Sequence, residues 1–318
     1  MQGTKLKCRD LDSPSKLCSL LRGMKQAYGN NENCMEYARH AHGFANNLAV
    51  ATEISYDLQS GSYVEYALAE AGITQEWCSH LAALVAPYLP PKGTILEIGA
   101  GEATTLAGVL AALPARPSQA AGFDISWSRC AHGRQWLKTM NQQADLVVAD
   151  LFHIPFADNS VDVVYTSHSL EPNGGREEEA LKELLRVARR AVVLVEPIYE
   201  LATPDAQARM AHHGYVRGLQ ATAETLDCII DEYRLLGPLG RVNPLNPSGV
   251  IVMKKKNNGS LASTGRMVWR CPLTNSEIIK KGDGFFSPTT GIAYASLDGI
   301  PLLTRNHAVL ASSFGTVT

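Results

Sequence analysis

Two glycines and several acidic residues stand at spacings from which a chain can hold a nucleoside-bearing cofactor. In LEIGAGEATTLAGVL, residues 96–110, Glu97, Gly99, Gly101 and Ala103 form an E-x-G-x-G-x-A turn. Glycine at 99 and 101 removes side chains where a ligand must lie against the main chain, and the free N–H groups opening the next helix suit a negative group. A tight strand-to-helix turn calls for glycine as well, so this turn alone fits a dinucleotide, another cofactor or plain geometry. Asp124, 25 positions beyond Gly99 in GFDIS, can accept two hydrogen bonds from a ribose diol, in NAD and in an adenosyl group alike. Ser126 just after it reads as a helix N-cap. Asp150, in VVADLFHIPFADNSVDVVYTS, stands where a carboxylate serves either a ligand or a turn. His168 and Glu171, in YTSHSLEPNGG, join a group that titrates near neutrality to a carboxylate; His168 suits a general base or a hydrogen bond that orders the loop.

The elements that must position these residues alternate between short apolar runs and segments of helical period. TILEIGA, QAAGFDI, DLVVAD, VDVVYTS and AVVLVEP read as buried parallel strands. Leu106, Ala107, Leu110 and Leu113 share one helix face, as do Leu181, Leu184, Leu185 and Ala188, so crossover helices join the strands. An amphipathic helix carrying Trp77, Leu81, Leu84 and Val85 precedes the first strand and stops at Pro90 and Pro91. After a helical region near 205–231, EYRLLGPLG and SGVIVMKKK read as two antiparallel strands, with Pro244 and Pro247 in their connection. The expected organisation is a helical N-terminal cap over residues 1–70, broken at GNNEN, an α/β domain over 71–256 and a small β-rich module over 257–318. KKKNNGSLASTG, residues 254–265, reads as the linker between the last two.

Bulk properties narrow the function classes. With 29 Lys plus Arg against 31 Asp plus Glu, the net charge of −2 supplies no general pull toward nucleic acid or an anionic membrane. Seven scattered cysteines without C-x-x-C argue against a disulfide framework, and no apolar run is long enough for a signal or a membrane span. The expectation is a soluble cytoplasmic protein, with a homodimer among the assemblies it admits.

The run from Asp150 to Val164 matches D-x-x-x-[LI]-P-F-x-D-x-[SF]-x-D-x-V, and with Glu97, Gly99, Gly101 and Asp124 it resembles class I S-adenosylmethionine-dependent methyltransferases of the ubiquinone and menaquinone branch. The resemblance spans residues 94–255. It implies a Rossmann-like, seven-stranded methyltransferase sheet with S-adenosyl-L-methionine as cofactor. By motif position it implies that Glu97, Gly99 and Gly101 hold the methionine end, that Asp124 binds ribose, and that Asp150, with Leu151 beside it, contacts the adenine amine. Ser167 joins the cofactor-binding set, and His168 and Glu171 lie near the transferred methyl. Ala103 stands where a third glycine is more usual, small for small.

ISYDLQSGSYVEYA clusters Tyr56, Gln59, Tyr63 and Tyr66, and resembles the N-terminal lids of small-molecule methyltransferases, which implies that Tyr56 and Tyr63 line the cofactor mouth. Packing of a helical cap accounts for the same tyrosines equally well. One of the adjacent His212 and His213 could face an acceptor from such a lid. RCPLTNSEI, GIAY and DGIPLL resemble the zinc-ribbon-like activator subunit of tRNA and release-factor methyltransferases, but Cys271 is the single cysteine there, which implies a metal-free version.

The leading expectation is O- or N-methylation of a small molecule such as a natural product, sugar or quinone precursor. A methyltransferase for RNA or protein that docks through the C-terminal module is the enzymatic alternative, and an idle binding module on the same fold is the non-enzymatic one. A dehydrogenase ranks last. Neither the acceptor nor the atom methylated is written in the sequence.

Overall fold

The computed structural model describes residues 14–42, 49–237, 243–256 and 265–314. Most of the expected linker, residues 257–264, lies outside them. Four short helices open the chain: α1 (Pro14–Gly29), α2 (Cys34–His42), α3 (Ala49–Leu58) and α4 (Ser62–Ala69). GNNEN separates the first two, and Leu20, Met24, Val50 and Ile54 bury together into a small core of their own.

The α/β part follows as α5 (Ala71–Val85), β1 (Thr94–Ile98), α6 (Thr104–Ala112), β2 (Gln119–Asp124), α7 (Trp127–Thr139), β3 (Asp145–Ala149), β4 (Val161–Ser167), α8 (Glu177–Val187) and β5 (Ala188–Pro197). Then come α9 (Pro204–His212), α10 (Leu219–Glu224), β6 (Cys228–Leu235) and β7 (Ser248–Lys255). β1 to β5 pair with one another only in parallel, whereas β7 runs antiparallel to both β5 and β6. Helices cover both faces, so the parallel strands are buried on both sides and their apolar runs are continuous.

Some boundaries differ from the periodicity. Ala188 begins β5 instead of ending the helix: its N–H still donates to Leu184 O, but its ψ of 135° is already extended. β6 starts at Cys228, inside the stretch expected to be helical, where pairing with β7 overrides local preference. Ser126 caps α7 as its type predicts, its hydroxyl accepting the Arg129 N–H at 3.2 Å.

The sheet has nine strands, two more than the expected seven. The C-terminal residues form β8 (Ile279–Lys281), β9 (Gly284–Phe286), β10 (Ile292–Tyr294), β11 (Ser296–Leu297), β12 (Ile300–Leu303) and β13 (Ala308–Leu310). Four of these make a separate small sheet in the order β13-β10-β9-β8, while β12 lies parallel to β3 with β11 outside it. The whole order is β11-β12-β3-β2-β1-β4-β5-β7-β6. β3 would otherwise be an open edge, and β12 covers its unpaired N–H and C=O groups. Ile300 buries against Cys130 and Val148 at this seam.

Strand order reverses between β1 and β4, and a crevice opens above their carboxyl ends. One buried polar cluster locks this pair from below. Asp162 at the start of β4 accepts the Thr94 N–H at 2.9 Å and bonds Arg189 at 2.8 Å. No described helix is long and apolar enough to cross a membrane.

Candidate active site

The turn after β1 is shaped by backbone that side chains disfavour. Gly99 and Gly101 have φ of 63° and 53°, in the left-handed region. A Cβ at Gly99 would come within 2.4 Å of the Ser169 Cβ, so the turn needs glycine there for space as well as conformation. Ala103 also adopts a left-handed φ of 54° and heads α6 without a side-chain cap. Asp124 fastens the turn from β2, accepting Gly101 N–H at 3.1 Å with Oδ2 and Ser126 N–H at 2.9 Å with Oδ1. Burial raises the Asp124 carboxyl, opposed by these backbone bonds and by the charge of Arg129.

A cavity of about 720 Å³ lies over this turn. Its wall brings together Gly99, Asp124, Asp150, Leu151, Ser167 and His168, and Tyr56 and Tyr63 reach it from α3 and α4. Of the other expected residues, Gly101 and Glu171 are not in the wall, and Glu97 lies beneath the turn with only 2% of its surface exposed. Burial pushes the Glu97 carboxyl up to about 8, although it accepts the Tyr165 hydroxyl at 3.0 Å. His212 and His213 are not in the wall; His213 packs beside Tyr215 with ring centres 5.6 Å apart.

His168 is held on both sides. Its Nδ1 is 3.2 Å from Glu171 Oε2 and its Nε2 is 2.7 Å from Ser248 Oγ, a hydroxyl that also faces the cavity. A carboxylate accepts, so the Nδ1 proton points to Glu171 and the Nε2 lone pair accepts the Ser248 hydroxyl. Burial alone would lower the imidazolium, but the bond to Glu171 and the charges of Glu171 and Glu196 leave it above its ordinary value. Glu196 itself is fully buried and pushed up to about 7 by desolvation, with the His168 charge opposing. The φ of 56° at His168 is uncommon for a residue with a Cβ, and strain of this kind persists only where surroundings enforce it.

The N-terminal helices are fastened to the turn by polar bonds. Glu102, within the turn and fully buried, accepts Gly61 N–H at 2.9 Å and Val64 N–H at 2.8 Å at the head of α4. Asp57 accepts the Ser126 hydroxyl at 2.7 Å. Arg129 lies over Tyr56 and Tyr63, its guanidinium carbon 4.7 and 4.4 Å from their ring centres. Both ring faces thus meet a cation supplied by the protein itself.

Sequence reasoning passed over Arg129, Glu102 and Ser248. Their partners lie between 38 and 80 residues away, beyond any local period. Arg129 was hidden in the first turn of a helix whose cap had a sufficient explanation.

The wall suits an adenosyl cofactor. Arg129 Nη2 and Ser169 Oγ, on residues of this wall, are buried without a hydrogen-bond partner among the described residues, which leaves them for a polar ligand. Gly99 leaves main chain open to close approach, and each Asp124 oxygen keeps a lone pair beyond its backbone bond.

Residues 95–191 match the family model for a methyltransferase domain. The demethylmenaquinone methyltransferase of Roseiflexus sp. (strain RS-1) is 29% identical over 175 residues, covering 54% of this chain and 70% of the relative. Among solved structures, geranyl diphosphate C-methyltransferase from Streptomyces coelicolor A3(2), in complex with Mg2+, geranyl diphosphate and S-adenosyl-L-homocysteine, is 12% identical with a TM-score of 0.45, covering 56% of this chain and 79% of that one. A complex of the Haloferax volcanii Trm112 methyltransferase activator with a methyltransferase is 13% identical with a TM-score of 0.49, covering 63% and 98%. Residues 95–191 therefore form a methyltransferase domain, and the chain is a methyltransferase that uses S-adenosyl-L-methionine.

Proposed function

We propose that this enzyme methylates a small-molecule acceptor at an oxygen or nitrogen whose proton is taken by His168. The observation that carries this reading is the imidazole fixed between Glu171 and Ser248 on the wall of a cavity covered by α3 and α4. S-Adenosylmethionine supplies an already activated methyl when bound, so the chain must chiefly orient the acceptor, exclude water and accept a proton. Gly99, Gly101 and Asp124 would hold the methionine and ribose parts, Asp150 and Leu151 the adenine end, and Glu97 would support the turn from below. Ser167 ends β4 beside this pocket and completes the cofactor set. At His168 the proton arrives on Nε2 through the Ser248 hydroxyl, which takes the acceptor's proton as it passes its own to the ring, and Glu171 stabilises the resulting imidazolium across Nδ1. Trp77, with its ring centre 6.0 Å from that of His168, adds an apolar wall suited to a flat acceptor. The Roseiflexus relative, a demethylmenaquinone methyltransferase, supports a small-molecule acceptor of the quinone type.

An RNA acceptor draws less support. Lys254 pairs with Asp231, Lys255 donates to Asn159 and Lys256 pairs with Asp227, so this basic run is spent within the fold.

Incubation of the full chain with methyl-labelled S-adenosylmethionine and a lysate, then separation into small-molecule, RNA and protein fractions, tests the reading. Label is expected among small molecules, and label confined to RNA or protein would reject it.

A further inference from the structure

One side chain from the C-terminal residues reaches the cofactor end of the sheet. β12 runs parallel to β3, with Leu302 beside Val148 and Leu303 beside Ala149. Parallel partners advance in step, so Thr304 and Arg305 leave the sheet beside Asp150 and the turn that follows it. Arg305 Nη1 stands 3.0 Å from His153 Nε2, and His153 Nδ1 stands 3.1 Å from Asp150 Oδ2. Asp150 Oδ1 accepts the Phe152 N–H at 3.0 Å. The far end of the same loop is gripped as well, Ala157 N–H donating to Val268 O at 2.8 Å and Arg270 N–H to Pro155 O at 3.0 Å.

A guanidinium carries donors only, so His153 Nε2 must accept and the ring proton resides on Nδ1, directed at Asp150. The opposite tautomer would set a lone pair against the carboxylate and release it. Burial would raise the Asp150 acid, but the His153 and Phe152 bonds and the charge of Arg176 hold it below the usual carboxylate range, ionised and ready to accept. Neither His153 nor Arg305 is in the cavity wall, whereas Asp150 is.

We propose that Arg305 is a positioning residue for cofactor binding: by occupying His153 Nε2 it selects the Nδ1–H tautomer, and that imidazole orients Asp150 toward the adenine amine. This rests on the reading of Asp150 as the adenine contact. The C-terminal strands thereby do more than cover an edge; their docking sets the hydrogen-bonding polarity of the adenine end.

The test uses the full chain and two ligands, S-adenosylhomocysteine and its inosyl analogue, which has no amine for Asp150 to receive. Titration calorimetry is expected to show Arg305→Met and His153→Leu each weakening S-adenosylhomocysteine by about tenfold, the scale of one misdirected hydrogen bond, while the inosyl analogue changes by less than about twofold. His153→Gln, whose amide can accept from Arg305 and donate to Asp150, should retain affinity, as should Arg305→Lys. Nitrogen-15 spectra of the His153 ring should report the Nδ1–H form in the parent protein and its loss in Arg305→Met. Equal weakening of both ligands would reduce Arg305 to a structural role and overturn the inference. Unchanged affinity in Arg305→Met, with Asp150→Ala weakening the adenosyl ligand alone, would overturn it while leaving the adenine contact standing. An Asp150→Ala protein that binds both ligands as the parent does would remove the adenine contact and the inference together.

Discussion

His168 Nε2 and Ser248 Oγ lie 2.7 Å apart although 80 residues separate them in the chain. β7 starts beside the end of β5, with Ser248 paired to Pro197, and this places the hydroxyl against the loop after β4. The contact occupies the one ring nitrogen free to take a proton.

A base role for His168 has a signature in pH. Its raised pKa means that the deprotonated, active form gains population only above the ordinary histidine range, so kcat/KM should rise with a limb above pH ~6.5. Glu171→Gln removes the raising partner and should move that limb to lower pH. His168→Gln should reduce kcat by about 10²–10⁴-fold with S-adenosylhomocysteine affinity kept. Parent-like turnover in this variant would leave His168 as an ordering group only.

Glu97 predicts a stability slope in the ligand-free protein. Its folded pKa of about 8 exceeds the unfolded value, so the native state binds the proton more tightly. The associated stability is complete below the unfolded pKa and is lost as pH rises toward and through about 8. Urea unfolding of the parent between pH 5 and 9 should show this decline, and Glu97→Gln should flatten it. Glu196, pushed up to about 7, contributes in the same direction, so the variant slope should shrink without vanishing.

The two turn glycines should respond unequally to alanine. Both have positive φ, which costs a residue with a Cβ about 1–2 kcal/mol. At Gly101 the new methyl meets Arg129 Nη1 at 3.3 Å, a mild crowding, whereas at Gly99 it meets the Ser169 Cβ at 2.4 Å. Gly99→Ala should therefore lose the larger part of unfolding free energy and cofactor affinity, measured by denaturant midpoint and calorimetry. Equal effects would show that the backbone angle alone sets the requirement.

Glu102 links the cofactor turn to α4. Replacing it with alanine leaves the Gly61 and Val64 amides without their acceptor, at about 1–3 kcal/mol for each charge-assisted bond. Hydrogen exchange should accelerate at those two amides and across α3 and α4, with β1 still protected. Unchanged exchange would mean that packing alone holds the helices.

The sequence by itself determined the parallel strands, the glycine turn, Asp124 and Asp150. Each is a local pattern: apolar runs that suit strands buried on both faces, glycines at left-handed positions, and carboxylates at strand ends. Even the N-terminal tyrosines reach the wall as their clustering suggests, although Arg129 covers their rings. What only tertiary structure decided are the contacts that join distant segments. Ser248 on His168, Glu102 on Gly61 and Arg305 on His153 carry no periodic signal, because hydrogen-bond geometry between elements depends on strand register and loop path, not on spacing along the chain. The ninefold sheet has the same origin. IPLL is short enough to pair anywhere, and only the exposed edge of β3 determines that it lies beside Val148 and Ala149.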